Sequence, residues 1–395
     1  MKLNQRSILE NAAAWEKLGY SLPKYDREQV KKNTLANPNW IHFGAGNIFR
    51  AFQANVLNNL LNEKKTDIGL VVAEGFDYEI IDKAFKSFDN LTIYMKLCCN
   101  GTVEKNIVGS VVESLRVDPQ NSDYETLKEL FRKPSLQMVS FTITEKGYAV
   151  VDGNGNTPAG IEADFKVGPD KATSYMGKVC AMLYERFKAG LPGFIILSCE
   201  LIDHNGEELL KCCKKHALKW ELGGDFGLWL ERENSFCSTL VDRIVTGFPR
   251  DEHKALEERI GQSDNMMDTA EIFHLWVIQG NHEDELPLQK AGFNVVWTDN
   301  VDPYKKRKVR ILNGAHTSMV LAARLYGLET VGECMKDEKV SSLLRKSVFE
   351  EIIPTIGDTE DNRKFGEAVF ERFANPFIKH QLLSIALNSV SKFRA

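Results

Sequence analysis

Residues 40–50 read Trp-Ile-His-Phe-Gly-Ala-Gly-Asn-Ile-Phe-Arg, a short apolar run that ends in a glycine turn at residues 44–47. Apolar residues follow the turn at helical spacing: Phe52, Val56, Leu57, Leu60 and Leu61. A strand, a glycine turn and a helix in this order are typical of a dinucleotide-binding fold. Gly44 and Gly46 would let the backbone approach a pyrophosphate, and the start of the helix would offer it N–H groups and a positive dipole.

The spacing of the glycine turn also leaves a purely structural interpretation open. A full fingerprint has a third glycine where this chain has Phe49, and paired glycines also serve ordinary tight turns. Glu74 ends a second apolar run, where an acidic residue would bind the adenosine ribose hydroxyls and favour NAD over NADP. It lies 28 residues after Gly46, later than the usual spacing of about 20. Its alternative interpretation is a solvated carboxylate at the end of a strand.

Further apolar runs predict buried strands at residues 67–74, 138–143, 194–198 and 294–297. Because these runs are continuous rather than alternating, they fit parallel strands covered by helices on both faces. From about Asp302 onward the pattern is helical almost without interruption. We therefore predict an α/β fold in three parts: an N-terminal extension over residues 1–37 with a helix from Ile8 to Leu18, a Rossmann-type parallel-sheet domain over 38–300, and an all-α domain over 301–395.

The composition excludes several classes of protein. The chain has 395 residues, 43% hydrophobic and 27% charged, with 50 Lys+Arg against 55 Asp+Glu, which argues against disorder and against nucleic-acid binding. No stretch approaches the roughly 18 apolar residues that a membrane span needs, and the start has no secretory apolar region. The eight cysteines and eight histidines lack the spacing of a disulfide framework or a zinc site. We therefore predict a cytoplasmic, metal-free protein that acts on a small molecule, with neither nucleic acid nor membrane as partner.

The segment 302–327 predicts one long helix, with Asp302 as N-cap, Pro303 as first residue and Gly327 at its end. At about 100° per residue, an arc of roughly 140° contains its main apolar positions. These are Val309, Leu312, Met319, Val320 and Ala323. Lys308, Asn313 and His316 fall in the same arc, whereas the solvent side carries Arg307, Arg310 and Thr317.

Taken singly, the imidazole and the amide have structural interpretations, since each often makes a hydrogen bond in a protein core. A lysine is different, because burial lowers its pKa toward neutrality. The three together favour a site in which Lys308 is a general base for an alcohol, while Asn313 and His316 hold the reacting oxygen. Lys308 and His316 are about 12 Å apart along the axis, so a ligand lying along the helix would contact both. With a nicotinamide, this arrangement predicts metal-free alcohol/ketone chemistry.

The same residues carry a resemblance to a known family. Lys308-x-Arg310-x-Leu312-Asn313-Gly314-x-His316 resembles the signature of the polyol-specific long-chain dehydrogenases, the mannitol dehydrogenase family. Residues 44–52 resemble that family's cofactor turn, and residues 144–148, Thr-Glu-Lys-Gly-Tyr, resemble a further segment of it. The resemblance runs from about residue 40 to the last residue. It implies a Rossmann-type domain followed by a helical domain, with NAD and substrate between them and no metal.

The resemblance also implies roles for single residues. Lys308 matches the family's general acid/base, and Asn313 and His316 match its ligands of the substrate oxygen. Asp242 and Lys392 fall at positions that line the substrate site. The implied cofactor residues are Gly44, Gly46, Asn47, Ile48, Glu74 and Glu145, the last a carboxylate associated with proton exchange. Without the resemblance, Asp242 would be a surface ion-pair partner, Lys392 a solvated tail lysine and Glu145 an ordinary exposed carboxylate.

The second half of the chain resembles family members that act on hexuronates more than those that act on mannitol. This likeness rests on residues 199–206, 234–252 and 373–388, and on Leu201 and Ser384, where mannitol-type members have Asn and Arg. It implies an NAD-dependent reductase of tagaturonate, with altronate as product. Reduction of fructuronate to mannonate, another polyol dehydrogenase activity and a non-catalytic NAD-binding protein are the alternatives. Because family members continue past Lys392, we expect the helical domain to be incomplete at its C-terminus.

Overall fold

The computed structural model describes residues 2–148, 150, 156–247 and 267–387. The chain forms two compact units. The first comprises Met1–Met95, Lys105–Thr269 and Leu275–Asp299, and the second comprises Lys96–Glu104, Ala270–His274 and Asn300–Ala395. Across the described ranges, no helix combines the length and the apolar character that a membrane span requires.

Twelve strands are present in the described residues. They are β1 (Tyr20–Ser21), β2 (Trp40–Phe43), β3 (Leu70–Glu74), β4 (Thr92–Leu97), β5 (Val103–Val108), β6 (Val111–Arg116), β7 (Met138–Phe141), β8 (Ile195–Ser198), β9 (Ser235–Asp242), β10 (Asp268–Glu271), β11 (Leu275–Gln279) and β12 (Val295–Thr298). An eight-stranded sheet has the order β12-β11-β9-β8-β7-β2-β3-β6, and a four-stranded sheet has the order β1-β5-β4-β10.

The larger sheet has the strand order of a Rossmann fold. From β2 the chain adds β3 and then β6 on one side, and β7, β8 and β9 on the other, and all these neighbours pair in parallel. The strand order therefore reverses beside β2, and ligands of such sheets bind at the carboxyl ends of the strands at this reversal. Beyond β9, strand β11 runs antiparallel to it and β12 runs parallel to β11.

Helices cover the buried strands of the first unit. They are α1 (Gln5–Glu10), α2 (Ala12–Lys17), α3 (Arg27–Ala36), α4 (Ala54–Asn62), α5 (Ser122–Phe131), α6 (Ala159–Val167), α7 (Tyr175–Lys188), α8 (Asn205–Lys219) and α9 (Gly224–Arg232). A π-helical turn, Phe49–Gln53, precedes α4. Leu127 of α5, Met182 of α7 and Leu209 of α8 share one core cluster with Phe43 and Phe141 of the sheet. Burial of this apolar surface is the main force that holds helices and strands together.

The second unit is largely helical in its described part. Its helices are α10 (Asp302–Arg307), α11 (Gly314–Tyr326), α12 (Val331–Lys336), α13 (Glu338–Lys346), α14 (Ile353–Ile356), α15 (Glu360–Phe373) and α16 (Leu382–Ala386). Two π-helical segments, Lys308–Asn313 and Ser347–Ile352, join α10 to α11 and α13 to α14. Gly327 ends α11 with φ +101°, as predicted, but the N-cap of α10 is Val301, so Asp302 is its first residue.

The fold class predicted from the sequence is confirmed, with several differences in detail. The helix predicted from Ile8 to Leu18 is two short helices that meet at Asn11, and α3 follows them. Strands β4, β5 and β6 lie in a stretch with interspersed polar residues, and β9 carries serine, cysteine and threonine although it is mostly buried. None of these strands has a continuous apolar run, so the criterion used for the other strands did not detect them.

Candidate active site

The two glycines of the glycine turn have different surroundings. Gly44 has φ +103°, and a Cβ on it would lie 2.4 Å from the carbonyl oxygen of Thr142, so a side chain does not fit there. Around Gly46 the space is open, with no neighbouring atom within 4 Å of the position of a Cβ. Glycine at 44 therefore serves the fold, whereas glycine at 46 leaves the backbone open to a ligand, as a bound pyrophosphate requires.

The carboxylate of Glu74 lies against the glycine turn. Its Oε2 accepts a hydrogen bond from the backbone N–H of Ala45 at 2.8 Å, and its Oε1 accepts from Phe76 and Asp77 at 2.8 and 3.3 Å. The side chain is only 7% exposed, so it is not a solvated carboxylate at a strand end. Because a carboxylate oxygen accepts about two hydrogen bonds, Oε2 keeps the capacity to accept one from a ribose hydroxyl.

Asn47 and Ile48 lie where the glycine turn enters the following helix. Asn47 is exposed and Ile48 is half-buried. The Oδ1 atom of Asn47 accepts a hydrogen bond from Nη2 of Arg50 at 2.7 Å. The backbone of Gly247 packs directly on this amide, because a Cβ on Gly247 would lie 2.2 Å from Nδ2 of Asn47. The orientation of Asn47 is thus fixed by contacts within the first unit.

Glu145 is exposed at the start of a short 3₁₀ turn that ends at Tyr148. A second carboxylate, Glu200, holds this turn: its Oε1 accepts from the N–H of Ile143 at 2.9 Å and its Oε2 from the hydroxyl of Tyr148 at 2.7 Å. Burial raises the pKa of Glu200 to about 7, although both hydrogen bonds act in the opposite direction. The sequence reasoning missed Glu200. The position of Glu200 could have revealed it, because it follows Ser198, the last residue of β8, by two residues. Parallel sheets bind their ligands at the carboxyl ends of their strands.

Asp242, a predicted substrate residue, is the last residue of β9 and is 2% exposed, so it is not a surface residue. A second buried carboxylate, Asp268, lies 4.0 Å from the guanidinium of Arg50. Burial raises the pKa of Asp268 to about 7, and the charge of Arg50 opposes that shift. Lys392, the other predicted substrate residue, lies outside the described residues.

The three predicted catalytic residues differ in exposure. His316 is 8% exposed, Lys308 is half-buried and Asn313 is exposed, so the prediction that all three point into the apolar face is wrong. The cause is the π-helical segment Lys308–Asn313. Its i→i+5 hydrogen bonds accommodate one extra residue, so a uniform step of about 100° misplaces side chains within the segment. Ile311 and Ala315, which lie outside the predicted arc, join the core, while the predicted apolar positions after residue 316 stay buried.

Asn313 and His316 still line a common cavity, of about 520 Å³, in the second unit. This volume is in the range of small-molecule sites. The other residues that line it are Val309, Arg310, Gly314, Thr317, Ser318, Glu351, Ile352, Thr355 and Ile385. Arg310 is exposed and makes no hydrogen bond or ion pair to any residue in the described part of the chain. The cavity therefore offers a ligand an amide, an imidazole and a cation, together with the carboxylate of Glu351, and Lys308 is not among its lining residues.

The described residues hold no cluster suited to a metal ion and no disulfide. In the ranges that the structure covers, no group of three or more His, Cys, Asp or Glu side chains has the arrangement to hold a metal ion. All eight cysteines lie in those ranges and are free thiols, and only Cys99 is exposed. A buried thiol with a raised pKa, such as Cys199, is a poor nucleophile.

The strand order, the glycine turn and the carboxylate at the end of the next strand together define a Rossmann-type dinucleotide-binding protein. Comparison with known families makes the assignment more specific. Residues 38–290 match the mannitol dehydrogenase Rossmann domain, and residues 300–395 match the mannitol dehydrogenase C-terminal domain. The chain belongs to the mannitol dehydrogenase family and is an oxidoreductase, which confirms the resemblance noted in its motifs.

Curated relatives are similar over most of the chain. A D-mannonate oxidoreductase of Thermotoga maritima is 38% identical, and the match covers 99% of this chain and 76% of that protein. An altronate oxidoreductase of Yersinia enterocolitica is 42% identical, and the match covers 90% of this chain and 72% of that protein.

Solved structures have the same fold. A D-sorbitol dehydrogenase in substrate-free form superposes with a TM-score of 0.86 at 27% identity, over 99% of this chain and 78% of that one. A mannitol 2-dehydrogenase of Pseudomonas fluorescens, solved as a ternary complex with NAD and D-mannitol, superposes with a TM-score of 0.79 at 24% identity, over 100% of this chain and 78% of that one.

Proposed function

We propose that this protein is an NAD-dependent reductase of a ketouronate and that it converts tagaturonate to altronate. The observation that carries the proposal is the cavity that Asn313 and His316 line together with Arg310. An amide and an imidazole suit a ketone oxygen, and a cation without a partner among the described residues suits a carboxylate. A ketouronate carries both groups on one six-carbon chain. The relatives named for mannonate and altronate support a sugar acid as substrate.

The cofactor residues of the proposal are Gly44, Gly46, Asn47, Ile48, Glu74 and Glu145. The open backbone at Gly46 would receive the pyrophosphate, and the free capacity of Oε2 of Glu74 would receive a ribose hydroxyl. The carboxylate of Glu74 would repel the 2′-phosphate of NADP, which favours NAD. A bound reduced nicotinamide supplies the hydride that the ketone carbon takes up.

The catalytic residues of the proposal are Lys308, Asn313 and His316. The ammonium of Lys308 donates its proton to the ketone oxygen as that oxygen gains charge, and in the oxidising direction the neutral amine removes a proton from the alcohol. The amide N–H of Asn313 and the ring N–H of His316 donate hydrogen bonds to the same oxygen and stabilise its charge. Asp242 and Lys392 would bind substrate hydroxyl groups.

A panel of ketones tests the substrate assignment. Oxidation of NADH is followed at 340 nm with tagaturonate, fructuronate and fructose under the same conditions. We expect turnover of tagaturonate above that of fructuronate, and little turnover of fructose, which lacks the carboxylate. Turnover of fructose alone would refute the assignment to a sugar acid. The Arg310→Gln variant should raise KM for the acids only.

Fructuronate is the second candidate substrate, and the relative from Thermotoga maritima, which matches 99% of the chain, favours it. Fructuronate and tagaturonate differ in the configuration of one hydroxyl group, so the same cavity could bind either. The kcat/KM values for the two acids in the panel distinguish them. All eight cysteines are free thiols, which supports the reducing cytoplasm as the site of this reaction.

A further inference from the structure

We propose that Phe373 and His380 form a clamp that fixes the imidazole of His316 in the orientation needed for catalysis. The inference rests on the proposed function, in which His316 holds the ketone oxygen. Phe373 and His380 are the first and last residues of the segment Phe-Ala-Asn-Pro-Phe-Ile-Lys-His, residues 373–380, which lies within the stretch 373–388 that resembles family members acting on hexuronates. Both are positioning residues in this proposal.

The clamp contacts the imidazole from two directions. The ring of Phe373 is stacked on that of His316, with centroids 4.3 Å apart and planes 17° apart. The ring of His380 meets the same imidazole edge to face, with centroids 5.3 Å apart and planes at 88°. Stacked and edge-to-face contacts are both favourable aromatic geometries, so rotation of the imidazole about its Cβ–Cγ bond would lose both.

The segment that carries the clamp is itself anchored at each end. The buried amide of Asn375 donates to the carbonyl of Leu97 at 2.9 Å and its Oδ1 accepts from the N–H of Phe377 at 3.1 Å. At the other end, the carbonyl of His380 accepts from the N–H of Val331 at 3.0 Å. These contacts all lie within the second unit. The two rings are therefore held by backbone that is fixed independently of His316.

Orientation matters because the two ring nitrogens of histidine differ in position, and a rotated ring would direct a carbon instead of a nitrogen into the cavity. His380 suits this role as a neutral ring, since burial lowers its pKa below the ordinary value. A neutral neighbour holds the imidazole without adding a charge that would compete for the substrate oxygen. Lys379, the charged residue of the segment 373–380, is exposed.

Phe373→Leu tests the clamp, with Phe370→Leu as the matched control. Phe370 lies one turn earlier on α15 in the same core cluster, and its ring packs on Phe349, with centroids 5.9 Å apart. Both variants should lose similar thermal stability. Only Phe373→Leu should lower kcat for the ketouronate, by about tenfold or more, because small misplacement of a catalytic group is costly. Phe373→Tyr, which keeps the stacked ring, should keep kcat close to that of the wild type.

A second measurement keeps the clamp testable even if the substrate assignment fails. The ring current of the stacked Phe373 should shift the ring protons of His316 upfield in the NMR spectrum, and loss of one histidine signal in His316→Gln would identify them. We expect Phe373→Leu to move that signal downfield, Phe370→Leu to leave it in place, and His380→Ala to broaden or move it. An unchanged His316 signal in Phe373→Leu, or equal kcat in the two leucine variants, would overturn the clamp. Absence of turnover in the wild type would refute the proposed function alone.

Discussion

Glu200 is a buried carboxylate whose protonation departs from the ordinary behaviour of a glutamate. Its carboxylate is 6% exposed and accepts hydrogen bonds from Ile143 and Tyr148, which join two segments at the carboxyl edge of the larger sheet. Burial raises its pKa to about 7 from the ordinary 4.5, because removing a carboxylate from water favours the neutral form. A group that changes its protonation so close to neutral pH links the stability of the fold to pH.

The sign of this linkage gives a prediction for Glu200→Gln. Between pH 4.5 and about 7 the folded state keeps a proton on Glu200 that the unfolded state has released. The contribution of this proton to the free energy of unfolding is therefore complete below pH 4.5 and is lost as the pH rises to about 7. The loss is up to about 3 kcal/mol. Urea unfolding from pH 4.5 to 8 should show the stability of Glu200→Gln rising relative to that of the wild type across this window, whereas Glu207→Gln, an exposed control on α8, should stay parallel to the wild type. Parallel curves for wild type and Glu200→Gln would contradict the assignment.

Three residues show which parts of the candidate site the sequence predicted and which it did not. Helical periodicity correctly predicted that His316 is buried. The prediction succeeded because His316 lies on the same helix face as Met319 and Val320, which are core residues. It failed for Asn313, because a uniform 100° step has no means to anticipate a π-helical segment that hydrogen bonding creates. Glu200 has no periodic signal at all. Its role depends on Ile143 and Tyr148, more than fifty residues earlier in the chain.

At the scale of the element, the two glycines of the strand–turn–helix unit serve different purposes: one is required by the fold and the other by a ligand. Gly44 faces a carbonyl oxygen and has a positive φ, whereas Gly46 faces open space. A methyl group at position 46 meets no protein atom, so it should act only on a molecule that approaches the backbone there.

The pair Gly46→Ala and Gly44→Ala makes this difference measurable. Gly46→Ala should keep the melting temperature of the free protein and weaken NADH binding by about tenfold or more, since the added methyl stands where the pyrophosphate must approach. Gly44→Ala should lose about 2 kcal/mol or more of stability through strain and the clash with Thr142. Thermal denaturation and NADH fluorescence titration measure both effects. Unchanged NADH affinity in Gly46→Ala would place the cofactor elsewhere.

Helix α15 carries a buried ion pair that should dominate the stability of its surroundings. Nε and Nη2 of Arg372 donate to the carboxylate of Glu271 at 2.8 to 3.1 Å, and both side chains are almost completely buried. Arg372→Met would leave the carboxylate buried without its cation, which should cost about 3–5 kcal/mol. Arg345→Met removes the exposed pair with Glu367 and should cost about 1 kcal/mol or less. Chemical denaturation compares them, and similar losses would contradict the burial argument.

Elements were predictable where a local pattern decided them. Strands β2, β3, β7 and β8 are continuous apolar runs that are buried throughout, and they were found. Strand β9 is held by its neighbours β8 and β11 rather than by its own composition, and the antiparallel pairing of β9 with β11 is a property of the sheet, not of either strand. Sequence reasoning therefore recovered four strands of the parallel part of the sheet and β12 of its extension, and it missed β6, β9 and β11.

At the scale of the whole molecule, the strand order of the larger sheet and the two matched family models agree on one class of protein. The family assignment and the fold class were accessible from the sequence, because the motifs around the glycine turn and around Lys308 are specific. The choice among sugar acids was not, because no motif distinguishes tagaturonate from fructuronate by the configuration of one hydroxyl group.

The proposed reaction depends above all on Lys308, the first residue of the π-helical segment, which protonates the ketone oxygen of the ketouronate. The most direct test is the rate of NADH oxidation with tagaturonate in Lys308→Met, with Lys306→Met, an exposed lysine of α10, as control. We expect Lys308→Met to lower kcat by about 10² to 10⁴ while NADH affinity and melting temperature stay unchanged, and Lys306→Met to behave as the wild type. A Lys308→Met enzyme that keeps kcat within about threefold of the wild type would contradict the claim.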